Sequence, residues 1–148
     1  MCLIVVAQQF MKTPTFVQIA KNIVHLKSGM KMNDYEHQVQ KAIAQYLDLR
    51  KVCWFAVPNG GQRNKIVAAK LKAEGVKAGV PDICVIHDGQ AYFLEVKKPR
   101  TANSGKGTLS KVQKEFIARI EEAGGEVAVV TSVADVIEQC IEWHINVL

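Results

Sequence analysis

Apolar positions along the chain alternate between helical and strand-like spacing. Val39, Ile43 and Leu47 recur every four residues, which predicts a helix over about 34–49. The pattern predicts further helices at 63–74, at 110–123 and from 132 onward, and strands at 51–57, 82–87, 90–97 and 126–131. The order helix, strand, helix, two strands, helix, strand, helix predicts an α/β fold in which helices cover a central mixed sheet.

Capping residues support the predicted helix boundaries. Asn33 is a candidate N-cap of the first helix, with Glu36 at the capping-box position. Ser110 and Ser132 precede the third and fourth helices, and each is followed three residues later by a polar residue, Gln113 or Asp135, that can complete a capping box.

The dipeptide Asp88-Gly89 between two apolar runs is a strong β-hairpin signal. With a two-residue turn, His87 faces Gln90, and the same register makes Asp82 face Glu95 with Cβ atoms roughly 5 Å apart. Strand alternation places Lys97 on the same face as Glu95. A three-residue turn would shift this register and separate the two carboxylates.

Two adjacent carboxylates repel each other unless a proton or a cation joins them. Mg²⁺ favours carboxylate oxygens and retains water for a phosphate, so Asp82 and Glu95 are candidate magnesium ligands, and Lys97 a candidate for orienting or deprotonating water. The alternative is that Lys97 forms a plain ion pair with the carboxylates at a sheet edge. Since both hairpin faces are otherwise apolar, we expect a central strand pair that is covered on both sides.

Charge is distributed unevenly along the 148 residues, whose formal net charge is +5. Residues 97–114 carry six basic and no acidic side chains, and residues 63–77 carry five basic side chains and only Glu74 as an acid. These segments suit a polyanion such as nucleic acid, although solvated loop and helix faces would have the same composition.

The spacing of the cysteines and the apolar run near the N-terminus indicate the cellular compartment. The four cysteines form no C-x-x-C pair, and Cys53 and Cys84 are expected to be buried apolar residues, so a reducing compartment is expected. The apolar run 3–7 is too short to cross a bilayer and lacks a preceding basic flank. We therefore expect an intracellular, cytoplasmic protein without membrane association.

Pro81-Asp82 followed by Glu95-Val96-Lys97 resembles the PD-(D/E)XK nuclease signature. The surrounding segments narrow this resemblance, namely Pro58-Asn59-Gly60-Gly61, Gly75, Gly79-Val80-Pro81-Asp82, Phe93-Leu94-Glu95-Val96-Lys97, Leu109-Ser110-x-x-Gln113 and Gly124-Gly125. Together they carry a resemblance to the VRR-Nuc family, the virus-type replication-repair nucleases, which comprises stand-alone phage and bacterial proteins and the nuclease domains of larger repair nucleases. It runs from about Tyr35 to Ile141, which suggests a nuclease domain over 32–148 preceded by an extension, 1–31, of uncertain role.

The resemblance implies a restriction-endonuclease-like fold and a role for each matching residue. Asp82, Glu95 and the Val96 carbonyl would bind the metal, Lys97 would position the attacking water, and Gln113 would face the active site. Glu36 would bind the metal directly or through water. For Glu36 and Gln113 the alternative is the capping box, which for Gln113 is compatible with a place in the site. Asn59 would lie near the scissile phosphate, or merely stabilise a turn.

The implied function is Mg²⁺- or Mn²⁺-dependent endonucleolytic cleavage of DNA, selective for branched DNA or Holliday junctions and leaving 5′-phosphates, in replication, repair or recombination. We expect a homodimer, because cutting a four-way junction symmetrically requires two sites. The residues expected to bind DNA are Asn59, Arg63, Lys65, Lys98, Arg100, Lys106 and Lys111. The alternatives are a non-catalytic DNA-binding module on a nuclease fold and an enzyme acting on a small phosphate ester.

Overall fold

The computed structural model describes residues 32–58, 64–100 and 105–145, without the side chains of residues 32–34 and 65. The elements are helices α1 (Met32–Leu49), α2 (Lys65–Ala73), α3 (Lys111–Glu122) and α4 (Val133–Glu142), and strands β1 (Cys53–Ala56), β2 (Ile83–His87), β3 (Gln90–Val96) and β4 (Glu126–Val130). Their order confirms the predicted one. Within these ranges, no helix combines the length and the apolar character needed to cross a membrane.

The four strands form one mixed sheet in the order β1-β2-β3-β4. β1 pairs with β2 and β2 with β3 in antiparallel fashion, whereas β4 runs parallel to β3. The hairpin turn consists of Asp88 and Gly89, whose φ angles of 48° and 77° are typical of a type I′ turn. His87 pairs with Gln90 and Ile83 with Leu94, so the register predicted from the turn is confirmed.

One face of the sheet packs against α1 and α4 and forms the hydrophobic core. Ile83, Val85, Leu94, Val96 and Val130 supply the sheet side of this core. The helical side consists of every third or fourth residue of the two helices, namely Val39, Ile43, Tyr46 and Leu47 of α1 and Val133, Val136, Ile137 and Cys140 of α4. Trp143 packs on Tyr92 with ring centroids 5.0 Å apart.

The opposite face is only partly covered, which corrects the expectation of a sheet buried on both sides. α3 lies over β3 and β4, and a groove of about 450 Å³ separates it from Phe93 and Ala91. Cys84 is buried as expected, but Cys53 is exposed. Cys53 lies on the edge strand β1, beyond the part of the sheet that α3 covers, which explains why its apolar neighbourhood in the sequence did not lead to burial.

The helix boundaries follow their capping residues in all but one case. Asn64 caps α2 by accepting from the Ile66 N–H, and Gly75 follows α2 with a φ of 99°. Ser110 and Ser132 cap α3 and α4 as predicted. The predicted cap at Asn33 is wrong, because α1 already includes Met32 and Asn33 lies inside it.

Candidate active site

The hairpin places Asp82 and Glu95 next to each other. Asp82 directly precedes β2 and, by continuation of the Ile83–Leu94 register, lies opposite Glu95 on β3. Its carboxylate Oδ2 accepts a hydrogen bond from the Val96 N–H at 2.9 Å, which holds the side chain against the end of β3. The sequence-derived pairing of these two carboxylates is therefore present in the fold.

Glu95 lies at the centre of a buried polar cluster. It is 0% exposed and Lys97 is 7% exposed, and Lys97 Nζ contacts Glu95 Oε1 at 2.7 Å. Gln113 Nε2 donates to the same carboxylate oxygen at 2.6 Å. β3 is an inner strand of the sheet, and the Lys97–Glu95 ion pair that the alternative describes is present at its end.

Gln113 joins the first turn of α3 to this cluster. Its Oε1 accepts from the Ser110 N–H at 2.9 Å and from Lys97 Nζ at 3.2 Å, while the Ser110 hydroxyl accepts from the Gln113 N–H. The capping box and the contact with the site therefore coexist, as the sequence allowed. The amide is held by groups on both of its polar atoms, so its orientation is determined by the helix cap.

Glu36 approaches the end of β3 from α1. Its Oε1 accepts from the Lys98 N–H at 3.2 Å, which joins α1 to the end of β3. The Gly107 N–H donates to the Lys98 carbonyl at 3.1 Å, and a Cβ on Gly107 would lie 3.3 Å from both Glu36 Oε1 and Lys97 Cβ. Gly107 thus allows the loop before α3 to lie closely against the site.

The cluster has more acid than base. Burial is the main cause that raises the pKa of Glu95 to about 7; the Lys97 hydrogen bond opposes it, and Asp82 and Glu36 add to it. Burial also raises the pKa of Asp82, against the Val96 hydrogen bond and the Lys97 charge. A single lysine does not neutralise these carboxylates, so the site favours either a proton or a further cation.

The donors present suit a hard cation. Glu95 Oε2 is buried and has no hydrogen-bond partner among the described residues, and it lies in the same cluster as Asp82. Among the described residues, no group of three His, Cys, Asp or Glu side chains is arranged to hold a metal by itself. Mg²⁺ does not require such a group, because it commonly binds one or two carboxylates and keeps several waters.

The residues expected to bind DNA are only partly described. Asn59 and Arg63 lie outside the described residues, and for Lys65 only the backbone in α2 is described. Lys98 adjoins the site and is half-buried, whereas Arg100, Lys106 and Lys111 are exposed. Lys111 Nζ lies 3.7 Å from Glu115 Oε1 in an exposed ion pair on α3. The positive charge of Lys106 helps to lower the pKa of Asp135.

Two glycines contribute to the site in ways that sequence analysis missed. The role of Gly107 follows from its packing against Glu36 and Lys97. Gly79, which carries part of the family resemblance, has a φ of 81°, and a Cβ there would lie 2.5 Å from the Val112 carbonyl oxygen of α3. The only sequence signal for either was a glycine close to a candidate site residue.

Comparisons with known proteins agree with this architecture. A family model described as VRR-NUC domain matches residues 34–134. A solved structure of a protein described as a VRR_NUC domain protein superposes with a TM-score of 0.57 and 25% sequence identity, covering 82% of this chain and 93% of that one. A search of curated proteins gives no match. Because the family model covers more than half of the chain, the protein belongs to the VRR-NUC domain family, a family of nucleases.

Proposed function

We propose that this protein is a metal-dependent DNA endonuclease whose active site contains Asp82, Glu95 and Lys97. The observation that carries the proposal is the buried Glu95, whose Oε2 has no hydrogen-bond partner among the described residues although Oε1 has two. A buried carboxylate oxygen without a partner costs free energy, and a bound cation would offset that cost. Membership of a nuclease family supports hydrolysis of a phosphodiester.

Asp82 and Glu95 would hold one Mg²⁺ or Mn²⁺ ion, together with the Val96 carbonyl. When bound, such an ion activates water for attack and stabilises negative charge on the phosphate. Glu36 contributes negative charge to the cluster, and in this proposal it contacts the ion directly or through water. The hydrogen bond from Val96 to Asp82 keeps one of these carboxylates oriented before the substrate arrives.

Lys97 positions the attacking water in this proposal. Its ammonium group is held by Glu95 Oε1 and Gln113 Oε1, so it has a defined direction, and the Lys97 side chain is buried. A positive charge in such surroundings stabilises developing phosphate charge more strongly than it would in water. Gln113 is a positioning residue, because it contacts Lys97 and Glu95 and is itself held by the cap of α3.

Basic side chains around this site would bind the phosphate backbone. Arg100, Lys106 and Lys111 are exposed on the segment that runs from β3 into α3, directly after the catalytic residues. Contacts of this kind position DNA without reading its sequence. We therefore expect binding that weakens steeply with salt and shows little sequence preference.

Metal-dependent nicking of supercoiled plasmid tests the proposal. Asp82→Ala, Glu95→Ala and Lys97→Ala should each lower the cleavage rate at least about 100-fold, because each removes charge stabilisation in the transition state. Asp82→Asn keeps an oxygen that accepts from Val96 and therefore separates catalysis from folding. Glu115→Ala, an exposed carboxylate on α3, is the matched control and should cleave like the wild type. Full activity of folded Lys97→Ala would refute the proposed site.

Selectivity for branched DNA and action as a homodimer extend the same proposal. A C₂ dimer supplies two equivalent sites for symmetric cuts. Light scattering combined with cleavage of junction, flap and linear duplex DNA tests both features. A monomer that cuts linear duplex as fast as junctions would leave a general nuclease, and binding without any cleavage would support the non-catalytic alternative.

A further inference from the structure

An exposed apolar patch, made of Cys53, Phe55 and Ile86, lies on the same sheet face as the candidate active site. Phe55 is 51% and Ile86 41% exposed. Cys53 pairs with Ile86 and Phe55 with Cys84, so the three side chains are neighbours on adjacent strands. Since Cys84 lies two residues after Asp82 in an extended chain, Phe55 shares a face with Asp82.

The patch lies close to the catalytic carboxylates along the strand direction. The Val57 N–H donates to the Asp82 carbonyl at 2.7 Å, which places Val57 directly beside Asp82. Phe55 lies two residues earlier, about 7 Å along the strand. A phosphate held at Asp82 and Glu95 therefore brings the base of the same or the next nucleotide within reach of Phe55.

The segment that follows the patch in the sequence carries basic side chains. The chain leaving β1 leads into α2, where Lys70 and Lys72 are exposed, and Lys77 is exposed before the chain returns to Asp82. The patch is thus followed in the chain by a segment whose charge suits a polyanion. A nucleotide combines an anionic phosphate with a flat apolar ring. The basic side chains suit the phosphate, and the apolar patch suits the ring.

We infer that Phe55 stacks against a nucleobase adjacent to the scissile phosphate, with Ile86 and Cys53 extending the apolar contact. The inference rests on the proposed DNA cleavage and adds a residue that contacts the base to it. In an intact duplex the faces of the bases are covered by their neighbours, so this contact forms where a base is unpaired. Stacking on an aromatic ring is tolerant of sequence, because every base has such a face.

Binding measurements without metal test the inference, using fluorescence anisotropy with DNA that carries an unpaired stretch and with a fully paired duplex. Phe55→Ala should weaken binding to the unpaired DNA roughly 5- to 100-fold and leave duplex binding nearly unchanged. Phe55→Tyr should restore affinity and Phe55→Leu should not, because only the former keeps a ring. Leu49→Ala is the matched control, since Leu49 is 49% exposed and lies about 20 Å along α1 from Glu36.

The salt dependence distinguishes stacking from a general loss of structure. Phe55→Ala should keep the wild-type slope of affinity against salt, because stacking releases no counterions, whereas Lys72→Gln should lower it by about one. Wild-type affinity in Phe55→Ala, or full affinity in Phe55→Leu, would overturn the inference. So would a wild-type dimer that Phe55→Ala converts to a monomer, because the patch would then contact a second copy. Under any of these outcomes, the proposed nuclease function stands if the wild-type protein still cuts DNA. If the wild-type protein neither binds nor cuts DNA, the nuclease function and the stacking role of Phe55 both fail.

Discussion

The affinity of this protein for Mg²⁺ should increase with pH across the neutral range. Burial raises the pKa of Glu95 to about 7, against the hydrogen bond from Lys97 and with a contribution from the Asp82 charge. At the proposed metal site a proton and a metal ion would compete for this carboxylate, so binding of Mg²⁺ would release the proton wherever the group is protonated. The perturbation is therefore a change of pH, and the observable is the apparent affinity for the ion.

The size of the effect follows from the fraction of ionised Glu95. With a pKa of about 7, roughly 3% of the carboxyl is ionised at pH 5.5 and about 90% at pH 8, so the affinity should rise about 30-fold. In the metal-free protein, the stability of the fold should instead decrease as pH rises. Because the folded pKa lies above the unfolded value of 4.5, the folded state binds more protons between these values, and the free energy of unfolding falls as pH rises from about 4.5 to about 7.

Isothermal titration calorimetry at several pH values measures the affinity, and repeating it in buffers of different ionisation enthalpy counts the protons released. Glu95→Gln should bind Mg²⁺ weakly and lose the pH dependence. Glu115→Gln, which alters an exposed carboxylate, should retain both the affinity and its dependence on pH. Equal affinity of the wild-type protein at pH 5.5 and pH 8, or unchanged binding in Glu95→Gln, would refute the assignment of Glu95 as a titrating metal ligand.

Three further predictions concern stability and the limits of the domain. Gly79→Ala should lower the free energy of unfolding by about 2–4 kcal/mol in chemical denaturation, because it combines a positive φ with a backbone clash. Gly75→Ala, with a φ of 99° and open space around its Cβ, should lose clearly less, and equal losses would contradict the clash. Asp135→Ala should cost about 1–3 kcal/mol at neutral pH, because the carboxylate accepts from Thr131 and Ser132 at the start of α4. Burial alone would raise the pKa of Asp135, but these hydrogen bonds keep the pKa below its ordinary value. The stabilisation by Asp135 is therefore present above pH 4 and is lost in acid. A difference in unfolding free energy between Asp135→Ala and the wild type that persists in acid would contradict this. A chain starting at Met32 should fold and cut DNA, since the family match begins at residue 34, and insoluble protein would show that residues 1–31 belong to the folded unit.

Local patterns in the sequence were sufficient to predict the hairpin and with it the central pair of the site. Asp88-Gly89 specifies a two-residue turn, and once the turn is set the period of two along each strand leaves one arrangement for Asp82, Glu95 and Lys97. The capping box of α3 is equally local, because Ser110 and Gln113 lie within one turn of helix. These features depend on residues close in sequence or linked by a single turn, so no knowledge of tertiary packing was required.

Contacts between distant segments were decided only by the tertiary structure. Glu36 lies 62 residues from Lys98, and nothing in the helix that carries it distinguishes a carboxylate that caps its own helix from one that bonds to the end of β3. The exposure of Cys53 and Phe55 likewise depends on where α3 packs, because α3 covers β3 and β4 and leaves β1 open. An apolar strand has the same alternation whether or not a helix covers its outer face, and the position of that helix is set by the whole core.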